Sequence, residues 1–273
     1  MTRLFSGVGV ALVTLFTEAG EIDADATARL AADLVRRGMR SVLVAGTTGE
    51  AAKLTSAERI RLIETVRAAI PAEVPVLAGT GAPDTATSVA LTASAVAAGA
   101  DAVLAFPPPG CGAIPGSGTD ADPAALTAYF EAVARAAGDR PVLAYHIPWI
   151  SAPGVPVPQL ASLPIAGVKD SSGSADRLLD ELAHYRGATY VGSSALLALS
   201  GPMGGAGAIL AIANVEPEKS VAAFGGDGAA QLELADTHLA VRAGGPARLK
   251  QILSSRSDFP ATSRLVTSPR KRN

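Results

Sequence analysis

Val76-Leu77-Ala78-Gly79 and Ala102-Val103-Leu104-Ala105-Phe106 are two short apolar runs without polar alternation, and between them Val89, Ala93 and Val96 fall at helical spacing. A strand that is apolar on both faces has to be covered on both. A unit of this kind therefore reads as two parallel strands joined by a covering helix. The same pattern recurs outward in both directions. Apolar runs at Val8–Val13, Ser41–Ala45, Pro141–Tyr145, Ile165–Val168, Tyr190–Gly192 and Ala208–Ala211 raise the expected strands to eight. Leu30/Leu34, Ile63/Val66/Ile70, Leu126/Phe130/Val133 and Leu178/Leu182 mark further helix faces. Thr55-Ser56-Ala57-Glu58 predicts a helix start, because the threonine hydroxyl can cap the amide of Glu58 while that carboxylate reaches back. Alternating strands and helices without a repeated dinucleotide fingerprint leave an open doubly wound sheet or a closed barrel. The count of eight favours an α/β fold of the (β/α)8 TIM-barrel type with additional C-terminal helices.

The 273 residues suit the roughly 250 of one such barrel. The expected organisation is a catalytic barrel over 1–215, a helical extension of the same domain over 216–253 and a flexible basic tail over 254–273. Helices of the extension are expected near Pro217–Phe224, Ala229–Val241 and Pro246–Leu253, and the tail ends in Pro269-Arg270-Lys271-Arg272. With 48% hydrophobic and 18% charged residues the chain can bury a sizeable core, and with only 4% aromatics that core is expected to be small and aliphatic. A net charge of −2 supplies no basic field for nucleic acid or anionic lipid. Met1 to Leu15 is too short to span a bilayer and lacks the basic start and cleavage site of a signal peptide, so it is read as leading into the first strand. Cys111, the one cysteine, excludes an intrachain disulfide and a cysteine-rich zinc site, and His146, His184 and His238 are too scattered to suggest a metal centre. The expectation is a cytoplasmic protein with no metal, no nucleic-acid partner and no membrane partner.

In a closed barrel the reacting groups come from the C-terminal ends of strands. Ile165-Ala166-Gly167-Val168-Lys169-Asp170 places a lysine there. An apolar surrounding disfavours the charged form of a lysine and leaves a nucleophilic amine able to form an imine with a ketone. The alternative is an exposed lysine paired with Asp170. The remaining lysines, Lys53, Lys219, Lys250 and Lys271, fall in polar loop, helix or tail contexts. Gly46-Thr47-Thr48-Gly49-Glu50 ends the second expected strand, where consecutive amides and two hydroxyls can receive a carboxylate, although alone it is an ordinary turn. Tyr145 ends the fifth, as a proton shuttle or as a structural tyrosine. Gly204-Gly205-Ala206-Gly207 lacks the lysine of a phosphate loop and reads as close packing. Pro107–Pro123 is a long Pro/Gly-rich loop of the kind often found at functional sites, and Trp149 either lines an entrance or packs.

In combination, Gly46-Thr47-Thr48-Gly49-Glu50, Ala78-Gly79-Thr80-Gly81, Tyr145-X-X-Pro148 and Gly167-Val168-Lys169, ordered and spaced from about Gly7 to Glu216, resemble the dihydrodipicolinate synthase and N-acetylneuraminate lyase family of Schiff-base-forming barrels. The resemblance implies that Lys169 forms the imine with a 2-oxo acid, Tyr145 shuttles the proton and Thr47 is the relay hydroxyl. Thr48, with Thr47 and Gly46, would bind the substrate carboxylate, and a backbone carbonyl near Ile209 would face the site. It further implies a lyase or aldolase of pyruvate or a sugar-derived 2-oxo acid, without cofactor, in a homo-oligomer, a dimer or tetramer. The alternatives are the synthase that condenses pyruvate with aspartate semialdehyde, and an inactive barrel that only binds a 2-oxo acid or regulates a partner. Three places depart from the synthase pattern. Phe106-Pro107-Pro108-Pro109-Gly110 stands where synthases carry a tyrosine pair, Trp149-Ile150-Ser151-Ala152-Pro153 lacks their arginine, and Gly192-Ser193-Ser194 replaces an acidic pattern. These departures weigh against lysine biosynthesis.

Overall fold

The computed structural model describes residues 4–111 and 122–265. Its elements in chain order are β1 (Gly7–Ala11), α1 (Ala24–Arg36), β2 (Val42–Val44), α2 (Ser56–Ala69), β3 (Val76–Gly79), α3 (Thr85–Ala97), β4 (Ala102–Ala105), α4 (Pro123–Ala137) and β5 (Val142–His146). There follow β6 (Gly167–Asp170), α5 (Ala175–His184), β7 (Ala188–Val191), α6 (Leu197–Ser200), β8 (Gly207–Leu210), α7 (Pro217–Phe224), α8 (Gly228–Glu233) and α9 (Ala235–Ser254). All neighbouring strands are parallel, and β8 closes on β1 from Gly7↔Gly207 to Val10↔Leu210, giving the eight-stranded barrel expected from the sequence.

Helix starts follow local chemistry. Thr55 and Glu58 form the reciprocal capping box at α2, and Asp23, Asp84, Asp122 and Ser174 cap α1, α3, α4 and α5 with their side chains. Strand side chains that point outward pack under the helices in two apolar clusters, while those that point inward, including Leu43, Leu77, Leu104, Tyr145, Tyr190 and Ile209, fill the barrel. At the floor, the Phe5 ring stacks on Tyr190 with centroids 4.6 Å apart, and the Tyr190 hydroxyl donates to the Phe5 carbonyl at 3.0 Å. Gly207 makes room for this pair, because a Cβ there would lie 3.1 Å from the Tyr190 ring and 2.4 Å from the Gly7 carbonyl oxygen.

Four expectations need correction. The buried side of α3 is Ser88, Thr92 and Ala95, whereas Ala93 is exposed. Its small hydroxyls can face the core because their partners are at hand: Ser88 Oγ accepts from the Ala82 amide and donates to the Asp84 carbonyl, and Thr92 Oγ1 donates to the Ser88 carbonyl. The expected helix over Ala229–Val241 is divided at Leu234, and α9 runs on through a kink at Gly245, whose φ of 59° suits glycine ahead of Pro246. Lys250 is not in a polar setting but fully buried. The stretch after Ser254 is not a loose tail as far as it is described, to Leu265: Arg256 binds Glu216 at 2.8 Å, Phe259 packs on the core and Arg264 binds Glu58 at 2.6 Å. Pro269–Arg272 lie outside the described residues. Among the described residues no helix is long and apolar enough to cross a membrane.

Candidate active site

The register of β5 and β6 organises the site. Tyr145 pairs with Lys169 and His146 with Asp170, so strand alternation turns the first pair into the barrel and the second pair out. Lys169 lies within β6 rather than after it, because the ladder continues past the apolar run expected at Ile165–Val168. The lysine is 4% exposed, and its Nζ stands 4.3 Å from the centre of the Tyr145 ring. The exposed Lys169–Asp170 pair is thereby excluded. Gly192 packs close beside the lysine and Ser171, since a Cβ there would come within 3.1 Å of Lys169 Cε and 2.0 Å of Ser171 Oγ.

Ser171 is the residue that sequence reasoning missed. Its hydroxyl donates to Tyr145 Oη at 3.4 Å, and its amide donates to the His146 carbonyl at 2.9 Å, extending the β5–β6 pairing by one step. The signal was its position two residues beyond Lys169, on the same face of an extended chain. Phe106 meets the Tyr145 ring edge-on with centroids 6.4 Å apart.

Thr47 and Thr48 sit in the turn after β2, exposed and half-buried respectively, and neither hydroxyl is taken by another described residue. The Glu50 amide donates to the Thr47 carbonyl at 3.1 Å and the Ala51 amide to the Gly46 carbonyl at 3.2 Å, while Ala45 and Glu50 adopt positive φ at either end of the turn. Gly79 lets β3 lie against it, since a Cβ there would be 2.4 Å from the Ala45 carbonyl oxygen. Among the described residues no hydrogen bond joins Thr47 to Tyr145, whose hydroxyl is instead contacted by Ser171. Gly46 is buried beside Leu43, and Ile209 lies in β8 in the same interior cluster as Tyr145.

Behind this site, on the outer face of β5 and β6, lies a buried ionic cluster. Asp170 accepts from the Ser172 amide and hydroxyl, both at 2.8 Å, and stands 3.7 Å from Arg177 Nε. Arg177 also reaches Glu181 at 2.9 Å and the Val155 carbonyl at 2.8 Å. Burial pushes the Asp170 carboxyl up, and the Glu181 carboxyl up to about 8 against the pull of Arg177. Burial and the Arg177 charge push His146 down to about 3, and its Nδ1 accepts from the Val155 amide at 3.1 Å. His146 thus faces away from the lysine. His184 is paired with Asp180 on the surface and His238 with Ser194. Trp149, just beyond β5, is 60% exposed, and Ser151 donates to the Pro107 carbonyl, tying the loop after β5 to the one after β4.

Residues 4–241 match the model of the dihydrodipicolinate synthetase family. A 4-hydroxy-tetrahydrodipicolinate synthase of Salinibacter ruber is 34% identical over 221 residues, which is 78% of this chain and 70% of the relative. An uncharacterized DapA-like lyase of Halobacterium salinarum is 38% identical over 223 residues, 80% of this chain and 70% of its own. Among solved structures, a prophage protein of the dihydrodipicolinic acid synthase family from E. coli K12, in complex with pyruvate, superimposes with a TM-score of 0.84 at 25% identity, covering 97% of this chain and 93% of that one. With a closed eight-stranded barrel, a lysine buried inside its wall and a family match across most of its length, the chain belongs to the dihydrodipicolinate synthetase family of lyases.

Proposed function

We propose that the protein is a Schiff-base-forming lyase or aldolase that makes or breaks a C–C bond of pyruvate or a sugar-derived 2-oxo acid, with Lys169 as the amine. The observation that carries this is the Lys169 amine, buried inside the barrel over the face of Tyr145. The amine adds to the C2 carbonyl, and loss of water leaves an iminium. The iminium accepts the electron pair of the breaking C3–C4 bond as an enamine, and protonation at C3 and hydrolysis then return the lysine. The electron sink is the imine itself, so the chemistry calls for no cofactor. The Tyr145 hydroxyl carries protons to and from the substrate, and Ser171 Oγ holds it in place at 3.4 Å. Thr47, Thr48 and the Gly46 backbone receive the carboxylate, and Thr47 closes on Tyr145 as a relay when substrate fills the gap. The Ile209 carbonyl faces the bound acid. By the resemblance the protein is read as a homo-oligomer, and by its single cysteine and net charge of −2 as a cytoplasmic protein with no nucleic-acid or membrane partner.

The test is borohydride trapping. Incubation with pyruvate and reduction is expected to leave a pyruvyl adduct on Lys169 by peptide mass, and none on Lys169→Ala. Folded wild-type protein with an unmodified lysine under pyruvate and longer 2-oxo acids would falsify the proposal. The condensing synthase is the second reading, favoured by the name of the Salinibacter ruber relative. Against it stand Phe106 and the arginine-free Trp149–Pro153. Consumption of aspartate semialdehyde by pyruvate-loaded protein would favour the synthase, and release of pyruvate from a sugar-derived 2-oxo acid the lyase.

A further inference from the structure

Glu50 closes the turn that carries Thr47 and Thr48, with a φ of 57° and a side chain shut off from solvent. Its donors come from the far end of the chain. Lys250 Nζ on α9 binds one carboxylate oxygen. The Ser263 hydroxyl at 3.1 Å and the Arg264 and Leu265 amides at 2.8 and 3.0 Å bind the other. Lys250 also donates to the Thr262 carbonyl at 2.9 Å and lies 4.2 Å from the centre of the Phe16 ring. Arg264 covers the same ring at 4.5 Å and is fastened to the Glu58 carboxylate at 2.6 Å and the Gly20 carbonyl at 2.7 Å. Residues 262–265 thus cross the outside of the turn as a strap, with Glu50 as the peg.

Stability alone is a poor account of this arrangement, since two charges taken out of water are seldom better than a well-packed apolar pair. Conformational specificity is a better one. The Glu50 amide donates to the Thr47 carbonyl at 3.1 Å, so whatever fixes Glu50 also fixes the backbone that presents both threonines. We propose that Glu50 is a positioning residue, and residues 262–265 a strap, which together hold the Thr47–Thr48 turn in the conformation that receives the substrate carboxylate. This rests on the lyase reading for the ligand, a 2-oxo acid, but not for the mechanical coupling.

Two readouts separate the parts. In Arg264→Met, which leaves the buried Glu50–Lys250 pair intact, hydrogen exchange of the Gly46–Ala51 amides is expected to quicken about tenfold while β6 amides keep their protection. The pyruvate concentration for half-maximal borohydride trapping should rise about tenfold, the factor for losing one charge-assisted hydrogen bond, with the limiting trapping rate within about twofold of wild type. Glu50→Gln should show both effects more strongly; if it fails to fold, Arg264→Met decides alone. Unchanged exchange in the turn, an unchanged half-saturation, or equal loosening of the turn and β6 overturns the proposal. A wild-type protein that traps no 2-oxo acid overturns the lyase reading, and exchange in the turn still decides whether the strap holds it.

Discussion

On β5 and β6 two adjacent pairs of side chains face opposite sides of the barrel wall, and the two sides are furnished differently. Inside, among the described residues, Tyr145 and Lys169 have few polar partners: a ring under an amine and one serine hydroxyl, with Gly192 packed close beside them. Outside, His146 and Asp170 belong to a network in which Ser172, Val155, Arg177 and Glu181 supply donors and charge. On the inner face bonding capacity is left unspent, as the proposed chemistry would require. On the outer face most of that capacity is taken up, although Arg177 and Glu181 meet by charge, with no aligned hydrogen bond to either Glu181 oxygen among the described residues. One residue's shift along the strand changes one role into the other.

If that division holds, substitutions on the two faces should fail in different ways. On the inner face, Tyr145→Phe is expected to lower kcat by about 10²–10⁴-fold, as for loss of a positioned proton carrier, while thermal stability stays near wild type. A turnover number within threefold of wild type would remove the tyrosine from the chemistry. On the outer face, Arg177→Met leaves the buried Asp170 and Glu181 acids without their cation and is expected to cost about 3–5 kcal/mol in denaturant unfolding above pH 8, where Glu181 is ionised. The protein that remains folded should still be trapped on Lys169, and a stable variant that cannot be trapped would show that the faces are coupled.

The smallest effect is a pH dependence of stability with two limbs. Glu181 titrates near 4.5 in the unfolded chain and about 8 in the folded one, so between those values the unfolded state has released a proton that the folded state keeps. Stability therefore falls as pH rises through that window, and Asp170, pushed in the same direction, adds to the fall. His146 titrates near 6.5 unfolded and about 3 folded, so the unfolded state binds the extra proton and stability falls as pH drops from 6.5 to 3. Where the windows overlap, between about pH 4.5 and 6.5, the slopes oppose each other and the cluster contributes a maximum. Glu181→Gln should flatten the limb above that range and His146→Gln the limb below it, each by a few degrees in Tm at about 2–4 °C per kcal/mol. Parallel Tm curves for wild type and both variants would contradict the assignment.

The barrel was legible because eight buried strands leave eight apolar runs, and the capping box at Thr55 because it is a local exchange of two hydrogen bonds. The buried side of α3 was not. In a helix of alanine, serine and threonine the apolar residues do not mark the inward face, and the small hydroxyls that do face inward are satisfied by backbone. Strand ends in β6 were misjudged because the ladder is set by backbone pairing, which carried on through the polar Lys169 and Asp170. At the site, Lys169, Tyr145 and the threonine turn stood out as residue types at strand ends. Ser171 did not, because its meaning lies in a contact with the neighbouring strand. Lys250 and the segment to Leu265 read as polar helix and tail because their partner, Glu50, is 200 positions away from the lysine. Long-range pairing of that kind leaves no periodic trace.

The stacked pair of Phe5 and Tyr190 fills the barrel interior at the end where β1 begins. On the lyase reading, a molecule held on Lys169 has that floor beneath it and would enter and leave past the C-terminal ends of the strands. In the cleavage direction the fragment cut from C3 would then leave before the part held on the lysine. Longer molecules would extend toward the C-terminal ends of β4 and β5. On that reading substrate choice would fall not to the barrel wall but to the segments around Phe106 and Trp149, the part of the chain that departs from the synthase pattern.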